Sequence, residues 1–94
     1  MEQIVVCIPA YNPKRALIWL LERLTEHPFC RIVIVNDGSD TNSDKVFEEA
    51  ARFENVDILR VEQNRRKGKA IKTGLQYIMK NIPTVKGVLT CGAD

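Results

Sequence analysis

Ninety-four residues make at most one small domain. With 45% hydrophobic and 28% charged residues the chain is globular rather than disordered, and its longest apolar run, Ala16 to Leu21, is far too short to span a bilayer. The net charge of +2 hides an asymmetry: residues 36–57 hold seven acids and two bases, residues 60–72 six bases and one acid, so the second stretch faces something negative.

The amino terminus shows no basic segment or apolar signal core, which sets a cytoplasmic expectation. An apolar run over 3–8 reads as a buried strand and breaks into Pro9-Ala10-Tyr11-Asn12-Pro13, a turn with a ring and an amide. A helix is predicted over 14–26, with Pro13 in its first turn, Leu17, Leu20, Leu21 and Leu24 as its apolar stripe, and Pro28 beyond its end. Trp19 lies off that stripe and is expected to be partly buried. A second strand over 31–35 closes on Asn36-Asp37-Gly38-Ser39, placing a carboxylate at its end. Ser43 is the expected N-cap of the next helix, which buries Val46, Phe47, Ala50 and Phe53. A third strand over 58–61 leads into Asn64-Arg65-Arg66-Lys67-Gly68-Lys69-Ala70 and a helix over 69–81, with Ala70, Ile71, Gly74, Leu75 and Ile78 inward. Gly74 in mid-helix costs about 1 kcal/mol against alanine, which points to close packing on the sheet. A fourth strand covers 87–90. Cys7, Cys30 and Cys91 lack metal or redox spacing and read as reduced thiols, and His27 as a helix-end residue.

Strands alternating with helices give an α/β fold: a three-layer, Rossmann-like open parallel sheet in the order 3-2-1-4 with helices on both faces, in one unit over 1–94. Ligands bind such sheets at the carboxyl ends of the strands, near the switch point between strands one and four. Tyr11 and Asp37 then share one rim and suit a flat heterocycle, with a π-face to stack on and a carboxylate to accept from a ring N–H. The loop containing Lys67 and Gly68, at a helix start, suits phosphate. Neither the Walker spacing nor a Gly-x-Gly-x-x-Gly after strand one is present, which excludes a P-loop and speaks against a nicotinamide cofactor. Each motif alone would serve as an ordinary turn. The basic stretch is short and lacks flanking aromatics, so a phosphate-bearing small molecule fits it better than nucleic acid.

Taken together, Ile8-Pro9-Ala10-Tyr11-Asn12, Ile34 to Ser39, Asn64 to Ala70 with Thr73-Gly74-Leu75, and Leu89 to Asp94 resemble the amino-terminal half of a family-two, inverting glycosyltransferase with a truncated glycosyltransferase-A fold. The flavour is that of the polyprenyl-phosphate sugar transferases. The resemblance implies that Pro9, Ala10, Tyr11 and Asn12 flank a nucleotide base whose N3–H donates to Asp37. It also implies that Lys67 and Gly68 lie near the diphosphate, and that Asp94 is the second acid of an Asp-x-Asp motif holding Mg²⁺ or Mn²⁺. The partner so implied is a nucleotide-sugar, a UDP- or GDP-sugar, for transfer to a polyprenyl phosphate or a growing glycan, by an enzyme peripheral to the membrane in its full length.

Two positions depart from the pattern. Gly92 stands where the motif has its first Asp, and Pro13 where many members have Glu. The family's acceptor half and general base have no counterpart in these residues, so the 94-residue chain alone is expected to bind nucleotide weakly and to transfer no sugar. Strand four leaves an exposed edge, from which an oligomer is expected. The competing readings are a non-catalytic nucleotide-binding or regulatory module, a receiver-type signalling domain, and a sugar nucleotidyltransferase. The receiver domain wants clustered acids after strand one, and the nucleotidyltransferase a glycine-rich loop there.

Overall fold

The computed structural model describes residues 3–27, 30–62, 69–82 and 85–91. Eight elements follow in chain order: β1 (Gln3–Ala10), α1 (Arg15–Leu24), β2 (Cys30–Asp37), a 3₁₀ turn (Thr41–Ser43), α2 (Asp44–Ala51), β3 (Val56–Val61), α3 (Lys69–Asn81) and β4 (Val85–Thr90). The sheet runs β3-β2-β1-β4, with all three pairings parallel.

The β-branched runs of β1 and β2 are buried on both faces because successive side chains serve different layers. Val6, Ile8, Ile32 and Ile34 pack with Leu17, Ile18 and Leu21 of α1 and with Phe47 and Ala50 of α2. The alternate residues Val5, Cys7, Val33 and Val35 pack with Ala70 and Ile78 of α3 and with Ile82 just beyond it. Each large side chain fully withdrawn from water here contributes about 1.5–3 kcal/mol. On the first face an exposed Arg15–Glu49 pair also links α1 to α2.

On the other face, α3 sits very close to the sheet at Gly74. A Cβ there would lie 2.4 Å from Cys7 Sγ and 3.1 Å from Val35 Cγ2. Helix propensity is given up for that approach, and the bounds of α3 match the sequence expectation.

Three local expectations are corrected. The strands run further than 3–8 and 31–35: Pro9 and Ala10 belong to β1 and Asn36 and Asp37 to β2, with Pro9 opposite Val35, Ala10 opposite Asn36 and Asp37 closing its strand as expected. Proline is tolerated because the β4 side of β1 has run out of partners. Cys7 C=O accepts from Cys91 N–H at 3.1 Å, and Pro9, two residues on, turns its backbone to the same vacated side. Ser43 is not a side-chain cap: the 3₁₀ turn enters α2 directly, so its backbone is already helical (φ −95°, ψ −1°), whereas a capping residue is extended. Pro13 stands two residues before α1, with extended Lys14 between them at the cap. Trp19 is 62% exposed.

Candidate functional site

The carboxyl ends of the strands bring the first two motifs side by side. Ala10, the last residue of β1, pairs with Asn36, so Tyr11 follows directly on β1 while Asp37 closes the neighbouring β2. Asp37 in turn pairs with Val61 of β3. The ends of β1, β2 and β3 thus lie side by side, with Tyr11 just beyond the first and Asp37 and Val61 closing the other two. Side-chain alternation puts Asp37 on the α3 face, following Val33 and Val35, and turns Asn36 to the opposite face.

The Asp37 side chain is unusual in its bonding. Its Oδ1 is buried and finds no hydrogen-bond partner among the described residues. A buried carboxylate oxygen without a donor is costly, and a ligand N–H would satisfy it. Tyr11 is 45% exposed at the rim.

Both loops leave the sheet through positive φ. Gly38, at 69°, follows Asp37 and takes a conformation that glycine adopts without strain; Asn12, at 47°, follows Tyr11. The two loops are bonded to each other. Asn12 N–H donates to Ser39 Oγ at 2.8 Å, and Asp40 N–H donates to Asn12 Oδ1 at 2.8 Å. Ser39 N–H donates to Asn36 Oδ1 at 3.0 Å, and both of those residues are buried. Ser39 and Asp40 were not singled out from sequence, because their partners lie 27 and 28 residues away.

Beside Gly38 opens a cleft of about 430 Å³ lined by Arg60, Val61 and Glu62, within the size range of small-molecule sites. Arg60 pairs with Asn36 in the sheet, so it stands on the face away from Asp37. α3 packs on β1 and β2. It runs back from the same rim, which directs its N-terminal N–H groups toward the site. Lys67 and Gly68, the sequence candidates for diphosphate, lie outside the described residues, as do Gly92 and Asp94. Among the described residues no cluster of His, Cys, Asp or Glu could hold a metal ion, and no helix is long and apolar enough to cross a membrane.

A second polar cluster sits at the amino ends of the strands, away from the site. Arg31 donates through Nη2 and Nε to Asp57 Oδ2 at 2.6 and 3.2 Å, and Tyr77 Oη donates to the same oxygen at 3.2 Å. Burial, then the Asp57 charge, pushes the Tyr77 hydroxyl up from its ordinary value. The cluster fastens α3 to β2 and β3, and its role is structural.

Known proteins agree with this architecture. The mannosyltransferase PcManGT of Pyrobaculum calidifontis, solved with GDP-Man and Mn²⁺, superposes with a TM-score of 0.68 over 80% of this chain and 24% of its own, at 18% identity. That likeness establishes the glycosyltransferase-A type of sheet. An uncharacterized glycosyltransferase of Escherichia coli, YaiP, is 42% identical over 74% of this chain and 18% of its own length. The undecaprenyl-phosphate 4-deoxy-4-formamido-L-arabinose transferase of Proteus mirabilis is 34% identical over 100% of this chain and 29% of its own. The chain therefore spans less than a third of either relative. The sequence profile of glycosyl transferase family 2 matches residues 5–83, and the chain belongs to that family.

Proposed function

We propose that residues 1–94 form the donor side of a sugar-transferring enzyme, binding the nucleoside diphosphate of a UDP- or GDP-sugar. The observation that carries the reading is the buried Oδ1 of Asp37, without a hydrogen-bond partner among the described residues, at the end of the strand next to the one that Tyr11 follows. A base stacked on Tyr11 would donate a ring N–H to that oxygen, a charge-assisted bond of the stronger kind. Pro9 and Ala10, the last residues of β1, lead into Tyr11, and the diphosphate would extend toward Lys67, Gly68 and the start of α3.

The GDP-Man bound to the structural neighbour supports a nucleotide-sugar donor, and its Mn²⁺ supports a divalent cation. In this chain Asp94 is the residue that would contribute to holding Mg²⁺ or Mn²⁺, which when bound offsets charge on a departing diphosphate. The described residues offer no cluster that fits the ion. The Proteus relative's name supports a lipid-linked acceptor such as a polyprenyl phosphate; the cytoplasmic side of a membrane is the setting we propose for the full-length enzyme. The general base for transfer is assigned to no residue of this chain.

Titration of UDP and GDP, with and without Mn²⁺, tests the reading, followed at Asp37 and Tyr11 by NMR. Resonances of both residues should shift together on nucleotide addition, and D37A should weaken binding by about tenfold or more. A nucleotide that binds without moving either residue would refute the assignment.

A further inference from the structure

Asn12 separates Tyr11 from the entry to α1 and holds a left-handed backbone at φ 47°, a region that asparagine enters more readily than most residues. Its amide points across to the neighbouring loop rather than into an open site. Oδ1 accepts from Asp40 N–H at 2.8 Å, and Nδ2 donates to Asp40 Oδ2 at 3.4 Å. Its own N–H is held by Ser39 Oγ at 2.8 Å, and Ser39 N–H is held by Asn36 Oδ1 at 3.0 Å. Asn36 and Ser39 are 5% and 6% exposed, so this end of the chain of bonds is anchored in the interior. The bonds bracket Asp37 and Gly38 on one side and begin directly after Tyr11 on the other.

We propose that Asn12 is a positioning residue: by clasping Ser39 and Asp40 it fixes Tyr11 and Asp37 relative to each other before nucleotide arrives, without touching the nucleotide itself. The proposal rests on the nucleoside diphosphate reading above. Loops at a sheet rim are mobile unless tied, and ordering them at the moment of binding weakens affinity. Here the acceptor and one donor of the Asn12 amide are already committed across the gap. The left-handed backbone persists because several bonds over-determine it.

The test exploits the polarity of the amide–carboxylate pair. In N12D two carboxylates face each other and the clasp should open, weakening UDP or GDP binding by about tenfold. In N12D/D40N the pair is reversed: a carboxylate at position 12 still accepts the backbone N–H of residue 40 and can also accept from the new amide. Affinity should return to within about twofold of the parent. N12G keeps the left-handed backbone without the amide and should match N12D, which covers the case in which N12D folds poorly. Inorganic pyrophosphate, which does not reach Tyr11 or Asp37, should bind the parent and all three variants equally.

The idea is overturned if N12D and N12G bind nucleotide as the parent does. It is equally overturned if the reversed pair folds but fails to recover binding, which would mean that Asn12 touches the ligand. Parallel loss of pyrophosphate binding would overturn it as well, by exposing a general structural defect. If the parent chain binds neither UDP nor GDP, the nucleotide reading itself falls, a result distinct from all of these.

Discussion

Gly74→Ala should destabilise this protein although it replaces the second-worst helix former with the best. The substitution gains about 1 kcal/mol of helix propensity. Against that, the new methyl would lie 2.4 Å from Cys7 Sγ and 3.1 Å from Val35 Cγ2. Unstrained contacts of this kind need roughly 3.5–4 Å, so one partner must retreat by about 1 Å. Cys7 and Val35 are both wholly buried in the two central strands, which leaves α3 as the element that must lift. Lifting it loosens Ala70 and Ile78 against the sheet. Overpacking costs about 1–3 kcal/mol, and an approach this short belongs in the upper part, about 2–3 kcal/mol, so the net loss should be about 1–2 kcal/mol, or roughly 4–16 °C in Tm for a domain this small. Cys7→Ala alone should cost about 1 kcal/mol through the lost sulfur and its small void. Combined, the methyl at position 74 occupies the space that the sulfur left, so C7A/G74A should be more stable than G74A, with a coupling of about 1–2 kcal/mol. Urea unfolding followed by far-ultraviolet circular dichroism, read as midpoints at constant m, measures all four corners of the cycle. Strict additivity, or a G74A protein at least as stable as the parent, would refute the close-approach argument.

Other consequences follow from the buried groups. Burial raises the Cys7 thiol above its ordinary pKa and α3 covers it, so native alkylation at neutral pH with peptide mapping should leave Cys7 unmodified until urea is added. Tyr77 is likewise raised in the folded chain, which favours the neutral form there. Groups of this sign stabilise fully below their unfolded pKa and lose that contribution as pH rises through the folded one. The urea midpoint should therefore fall above about pH 10, and less steeply in Y77F. Because Arg31 and Tyr77 both donate to a single part-buried Asp57 oxygen, D57N should cost about 1 kcal/mol, screened as it is by partial exposure. It should leave nucleotide binding unchanged, since the cluster lies at the other end of the strands; a loss of affinity would contradict that separation.

The parts of this fold legible in the sequence are those governed by local rules. α3 could be bounded at Lys69 and Asn81 because a basic loop with a glycine precedes it and Pro83 follows. The tension at Gly74 showed through because a glycine in an otherwise good helix needs a packing reason. The sheet order followed from alternating strand and helix with short connections. What stayed hidden was set by neighbours distant in the chain. Pro9, Ala10 and Asn36 have the composition of turns, yet the register between β1 and β2 holds them in the ladder. Ser43 has the right chemistry for a cap, but the preceding 3₁₀ turn takes away the geometry.

The rim itself follows the same division. That Tyr11 and Asp37 end adjacent strands can be read from two apolar runs, because each run fixes where its strand must stop being buried. That Asn12 is occupied by Asp40 cannot, because nothing in a local window shows which loop will lie 28 residues away. The same holds for Asp37 Oδ1, which is buried and finds no donor among the described residues, a fact that only the folded arrangement reveals. Asn36 is the residue that joins the two levels. It ends an apolar strand like any turn former, yet it is turned inward to hold Ser39, and through Ser39 it reaches Asn12. A nonpolar residue at position 36 would satisfy the strand pattern better and would leave the Ser39 N–H without that acceptor, so the polar choice at a buried strand end is explained by the loop it organises rather than by the sheet it belongs to.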